Sequence, residues 1–300
     1  MSASAFNLKD YLASHTRKVE QALNKNLPTK RTSPAVLHEA MRHSMFAGGK
    51  RLRPILALAA AEACGGKIED ALLPACAVEC IHTYSLIHDD LPCMDDDDMR
   101  RGVPTCHVVY GEANALLAGD ALAALAFELI AQHPGTENYS TAAMVSELAH
   151  TSGSRWLIGG QVLDLECEGD PSKVNAARLK QIHLAKTSAL LTTSLRLGAM
   201  AANASTRELE ALTEFGQATG LAFQIIDDIL DATQSSEKLG KTAGKDAATG
   251  KATYPAIHGM EKSKKEAARL TRKALDALIV FKEKGTALDH IGRYLLDRDY

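Results

Sequence analysis

The sequence predicts an all-α fold, one domain of packed helices over residues 1–300, and three observations lead there. Segments rich in Ala and Leu recur along the whole chain, and positions such as Leu179, Ile182, His183, Lys186 and Leu190 step by i+3 and i+4 along one face. No long alternating β-branched run competes; the nearest, Cys106-His-Val-Val-Tyr110, is short. The breaks at Gly65-Gly66, His133-Pro-Gly135, Gly169-Asp-Pro171 and Asn203-Ala-Ser205 are too brief for interdomain linkers. With 300 residues, 46% hydrophobic and 24% charged, the chain has the composition of a soluble globular protein with enough apolar side chains for a large core.

The elements follow in order. Phe6, Leu8, Tyr11 and Leu12 open an amphipathic helix, and the first residues lack the apolar stretch of a secretory signal. Helical segments are expected at 34–47, 53–64, 70–90, 112–132, 140–156, 174–202, 206–231 and 261–281. Their many alanines let neighbouring helices approach closely. Between Ala232 and Thr253 the chain turns rich in Gly, Lys, Ser and Thr; a connection this long inside a compact domain is often a functional lid. No uncharged apolar run of about 18 residues appears, so no stable membrane insertion is expected. The six cysteines form no C-x-x-C pair and no zinc spacing, which suits reduced thiols and a cytoplasmic setting. A net charge of −3 with few aromatics argues against nucleic acid as the main ligand.

Two acidic motifs stand out. Asp89-Asp90-Leu-Pro-Cys-Met-Asp95, continued by Asp96, Asp97 and Asp98, packs six carboxylates into ten residues. On a straight helix Asp89 and Asp95 would point about 120° apart. Pro92 cannot continue a helix normally, so the expectation is a distorted helix end that turns Asp95 back beside Asp89. In Gln224-Ile-Ile-Asp-Asp-Ile-Leu-Asp231, Asp227 and Asp231 lie at i,i+4 on one face, with Asp228 about 100° around. Carboxylates without Cys or His partners suit a hard cation, Mg²⁺ above all, completed by water and a polyphosphate. Basic residues supply the complement: Lys50, Arg51 and Arg53 follow a Gly-Gly break in Gly48-Gly-Lys-Arg-Leu-Arg-Pro54, and Arg100 and Arg101 follow the first acidic cluster. They are candidates both to neutralise that cluster and to grip phosphate.

In this order, GGKRLRP, DDLPCMD with DMRRG, Lys186-Thr187, FQIIDDILD and the GK…GKATYP segment resemble the short-chain trans-isoprenyl diphosphate synthases, most closely the bacterial farnesyl diphosphate synthases, from about Met41 to Pro255. The resemblance implies the isoprenoid synthase fold, with a deep central cavity whose mouth carries both Asp motifs. It implies head-to-tail condensation of isopentenyl diphosphate with an allylic diphosphate, and a homodimer. Asp89, Asp95 and Asp227 would bind about three Mg²⁺ ions, with Mn²⁺ a possible substitute, supported by Asp90, Asp228 and Asp231. Arg100, Lys186 and Lys241, with Lys251 in the same loop segment, would meet the allylic diphosphate. Lys50, Arg53, His82 and Arg101 would hold isopentenyl diphosphate. Thr187, Gln224 and the Lys186 carbonyl resemble the oxygens that face the cation, and the lysine-bearing loop would close to exclude water. His88 adjoins the first motif without a role and reads as structural.

Chain length follows from the floor of the cavity. Ser85 lies about 6 Å down the helix axis from Asp89 and about 40° around it, and Tyr84 sits on the flank, large enough to reach inward. In the resembling family an aromatic here, with the two-residue insertion in DDLPCMD, marks a short product. Farnesyl diphosphate is therefore the first expectation, with geranylgeranyl diphosphate the alternative. A terpene cyclase would not need a second basic diphosphate site, and a cation-binding helical scaffold would not explain the ordered basic residues.

Overall fold

The computed structural model describes residues 6–167, 174–233 and 253–296. Helix α1 (Leu8–Asn26) is capped by the Asn7 side chain, which accepts from the Asp10 N–H, and buries His15, Val19 and Leu23 on one stripe. After α2 (Ala35–Met45) come two inner helices, α3 (Leu52–Ala63) and α4 (Ile68–Asp89). The residues of α3 from Pro54 to Ala61 are all buried, the mark of a helix surrounded by others. A short ribbon follows, with Met99 paired to Pro104 and Arg100 to Val103, then α5 (Cys106–Tyr110) and α6 (Glu112–Ala131). The ribbon's central residues, Arg101 and Gly102, both take positive φ, the pattern of a tight hairpin turn.

Helices α7 (Thr141–Ser152), α8 (Leu157–Leu165) and α9 (Ala176–His183) lead into a π-helical turn, Leu184–Ser188, and directly into α10 (Ala189–Ala201). The long α11 (Thr206–Thr233) carries the second Asp motif; α12 (Tyr254–His258), α13 (Met260–Ala277), a 3₁₀ stretch and α14 (Thr286–Leu296) complete the described fold. Two apolar clusters hold these elements. One joins α1, α2, α4, α6 and α7; the other joins α11, α13 and α14; α3 and α10 contribute side chains to both and form the partition between them.

The all-α expectation and most helical segments are found, with several differences. The segment 140–156 stops at Ser152, where Gly153 turns to extended backbone, and α8 starts afresh after Trp156. The segment 174–202 is interrupted by the π turn. The short β-branched run at Cys106 is a short helix, and α14 adds a helix that the apolar pattern did not mark out. By length and composition α6 is apolar enough to cross a membrane; here it packs against α4 and α2. All six cysteines are free thiols, and burial pushes Cys76 up to about 12.

Close helix approach rests on small residues. Gly198 of α10 lies so near the Ala57 carbonyl of α3 that an added Cβ would overlap it. Gly198→Ala should therefore destabilise the fold by about 1–3 kcal/mol or more, read as a lowered midpoint in urea unfolding.

Candidate active site

The first acidic motif sits where α4 ends. Asp89 is the last helical residue and Asp90 its cap; Pro92 stops the helix, and the chain curls so that the Asp95 N–H donates to the Asp89 carbonyl at 2.8 Å. The expected turn that brings Asp95 back to Asp89 is present. Burial pushes the Asp89 carboxyl up to about 6; Lys186 pulls it down, while Asp95 and Asp90 add like-charge repulsion. Asp90 is buried and forked by Arg100, whose Nε donates to both carboxylate oxygens at 2.7 and 2.8 Å. In this structure Arg100 neutralises the acidic turn, one of its two expected roles.

The basic half is built on backbone geometry. Gly48 and Gly49 take positive φ, and Arg51 follows in the left-handed region at φ 49°. This twist divides the basic residues. Arg51 points inward, donating to Glu79 at 2.8 Å and to the Met45 carbonyl at 2.7 Å, while Arg53 faces the cavity and lies 3.3 Å from His82 Nε2. Lys50 is exposed, with its ammonium 5.3 Å above the Tyr294 ring. Arg101 donates to the Gly48 carbonyl, and a Cβ at Gly49 would run into its guanidinium. Gly49 is therefore a seat for Arg101 as well as a turn. Burial, then Arg53, Arg101, Arg100 and Arg51, hold His82 well below the usual imidazole range, so it is neutral at pH 7. Burial also lowers Arg53, with Arg101 working against the nearby Glu79, and its Nε is buried without a partner among the described residues.

A cavity of about 410 Å³ joins the two halves, running from Arg53 and His82 past Asp89 to an apolar wall that includes Tyr84, Leu157 and Val162. Tyr84 and Ser85 both line it; the Ser85 hydroxyl donates to the His82 carbonyl at 2.9 Å, and the Tyr84 phenol is pushed up to about 12 by burial and by Asp89. Lys186 and Thr187 reach the cavity from the π turn, a distortion frequent at functional sites. Two glycines make room for that turn: a Cβ at Gly160 would meet the Lys186 nitrogen at 2.8 Å, and one at Gly220 would meet the Ser188 Cα at 2.5 Å.

The second acidic motif lies on α11, which packs against the π turn. Asp227 and Asp228 are half-buried and Asp231 is buried; Gln224 is half-buried one turn before. Asp228 accepts from the Tyr254 N–H at 2.7 Å, with His183 Nε2 at 3.7 Å, so it anchors the start of α12. Lys241 and Lys251 lie outside the described residues. Among the described residues no three Asp, Glu, His or Cys groups converge to hold an ion by themselves. Two α8 residues escaped the sequence reading: Gln161 donates to the Asp89 carboxylate, and Asp164 accepts from Lys186 at 2.8 Å. Their three-residue spacing after Gly159-Gly160 was the available signal.

The family model for polyprenyl synthetases matches residues 34–284. The chain belongs to the polyprenyl synthetase family. It is 49% identical over 296 residues to a chloroplastic geranylgeranyl pyrophosphate synthase of Capsicum annuum, covering 98% of this chain and 79% of that one. A solved FPP/GFPP synthase from Zymomonas mobilis superposes with a TM-score of 0.86 at 36% identity, covering 97% of this chain and 99% of that one. A Helicobacter pylori geranyltransferase solved with magnesium and isoprenyl diphosphate superposes with a TM-score of 0.80 at 34% identity, covering 99% and 98%. This polyprenyl synthetase is a prenyltransferase with the isoprenoid synthase fold.

The Asp89 shift has a sign that can be checked. A carboxyl raised from 3.8 to about 6 in the folded state binds protons that the unfolded chain has released, so the metal-free fold loses stability as pH rises from about 4 to 6. Asp89→Asn should remove that penalty and stabilise the metal-free protein at pH 7 by about 1–3 kcal/mol, measured by urea unfolding with chelator present. The parent and the variant should converge near pH 4.

Proposed function

We propose that this chain joins isopentenyl diphosphate head-to-tail to an allylic diphosphate. The observation that carries the reading is the placement of an under-compensated basic pair (Arg53 beside neutral His82, with Arg101 nearby) and the Asp89 carboxylate turn on one apolar-walled cavity. A buried guanidinium group short of counter-charge, as at Arg53, favours an anionic guest, and forked donors suit diphosphate. Arg53, His82, Arg101 and Lys50 would hold isopentenyl diphosphate there. Asp89, Asp95 and Asp227 would share Mg²⁺ with the allylic diphosphate, Asp231 and Asp228 standing behind them. The donor set fits: hard carboxylate oxygens, too few in any one place to hold an ion alone, match a cation that keeps water and takes substrate phosphate as a ligand. The magnesium in the H. pylori relative supports the same reading.

When bound, Mg²⁺ would supply charge to balance the departing diphosphate. Lys186 stands between Asp164 and Asp89, placed to add a further positive charge at the leaving group. Thr187, which lines the cavity, and Gln224 would offer oxygens toward the allylic cation, and the apolar walls would keep water from it. The isopentenyl double bond attacks that cation, and the proton lost afterwards goes to the released diphosphate. No side-chain nucleophile is needed.

On product length, the names of the relatives favour geranylgeranyl diphosphate over the farnesyl diphosphate expected from the sequence. We therefore take twenty carbons as the first reading. Fifteen carbons is the second, carried by one observation on this chain: Tyr84 is buried and lines the cavity wall. We also propose a homodimer through α5 and α6, where Val108, Val109, Leu116 and Leu117 are exposed by 50, 47, 46 and 52%. Sedimentation at micromolar concentration should give twice the chain mass, and charged substitutions at Leu116 and Leu117 should give monomers.

The deciding assay supplies Mg²⁺, labelled isopentenyl diphosphate, and dimethylallyl, geranyl or farnesyl diphosphate in separate reactions. Elongation of the first two is expected, and farnesyl diphosphate should be elongated only if the product has twenty carbons. Primer loss without isopentenyl incorporation would reject the reading. Asp227→Ala should lower kcat by about 10²–10³-fold or more with the fold retained. Chelator should abolish turnover, and Mg²⁺ or Mn²⁺ should restore it.

A further inference from the structure

His88 stands directly before the first acidic motif and belongs to neither half of the diphosphate chemistry. Its surroundings are nonetheless specific. On α4 it lies one turn after Tyr84, and the two rings meet edge to face, centroids 5.6 Å apart at 75°. Both rings line the cavity. On its other side His88 Nε2 is 3.0 Å from the Leu116 carbonyl of α6 and 3.9 Å from the Asp120 carboxylate. The ring sits so tightly on α6 that a Cβ built at Gly119 would overlap Nε2, Cδ2 and Cε1. Tyr84 is thus backed by His88, and His88 by the bare backbone of α6.

We infer that His88 is a specificity-determining residue for chain length, forming with Tyr84 one rigid wall that Gly119 seats against α6. The inference rests on the proposed elongation activity. A growing apolar tail stops where it meets atoms that cannot move aside. Tyr84 alone, on the flank of α4, could swing away from a tail pressing on it. With the imidazole locked between it and α6, that swing would require His88 to enter backbone, which close packing forbids. Removing the imidazole opens space behind Tyr84. Adding a methyl at Gly119 instead drives the imidazole off α6, toward Tyr84 and the lumen. The two changes therefore act in opposite directions.

The test reads product length, a quantity that a purely structural role for His88 would not shift. Each variant is supplied with Mg²⁺, labelled isopentenyl diphosphate and dimethylallyl diphosphate, and its products are separated by carbon number. His88→Ala should move the main product up by at least one five-carbon step, with the KM for dimethylallyl diphosphate changed less than about threefold. Gly119→Ala should move it down or leave the intermediate as the main product, and adding His88→Ala to Gly119→Ala should restore the parent length or exceed it. His88→Phe, which keeps a ring of similar size, should keep the parent length. If His88→Ala does not fold, Gly119→Ala and His88→Phe decide the matter alone. An unchanged distribution in His88→Ala or in Gly119→Ala, with an active parent, overturns this inference and leaves the elongation reading standing. A parent inactive on every primer overturns both.

Discussion

A bidentate ion pair between Asp90 and Arg100 ties the two halves of the site to each other, and much of the local architecture depends on it. Asp90 caps α4 immediately after Asp89, so fixing its carboxylate fixes the end of the helix and the turn that returns Asp95. Arg100 lies on the hairpin ribbon, so the same bond draws that ribbon inward and delivers Arg101 to the Gly48 carbonyl. Acidic turn and basic loop are thereby set in register by one half-buried contact. Removing Arg100 would leave the buried Asp90 carboxylate uncompensated, which is why such a clamp is rigid.

Around that clamp the protein tolerates unfavourable electrostatics on both sides. Asp89 is crowded by Asp95 and Asp90, and Arg53 and His82 are crowded by guanidinium groups. Neither arrangement stabilises the fold; each would become favourable with the oppositely charged guest proposed for it. The partly compensated contacts, Gln161 on Asp89 and Asp164 on Lys186, hold these groups in place without quenching them. The cost is borne by the apolar clusters of the helical core, where α3 and α10 contribute to both sides.

The helical period made most of the fold legible, because an amphipathic stripe repeats over many residues and survives local exceptions. The exceptions are where reading failed. Leu157–Leu165 was missed as a helix because Gly159 and Gly160 weaken its propensity, yet Gly160 is required there by the close approach of the Lys186 backbone. The π turn at Leu184–Ser188 leaves no mark in an apolar pattern that runs smoothly through it. In the site, the pairing of Asp89 with Asp95 was readable because Pro92 forces the turn. The inward course of Arg51 was not, since it depends on a left-handed dihedral at a residue that rarely adopts one. Arg100 was expected both to neutralise the acidic cluster and to meet phosphate, and its pairing with Asp90 realises the first of these.

The position of α6 carries one more consequence. Its Leu116 carbonyl touches a ring at the cavity wall, while the Leu116 side chain itself is half exposed on the outer surface. Lumen and exterior are separated by the thickness of a single helix. A sequence change selected for how the outside of α6 meets its surroundings is also a change in the support of the inner wall. Under the chain-length inference, surface drift and product repertoire would therefore not be independent heritable traits in this molecule.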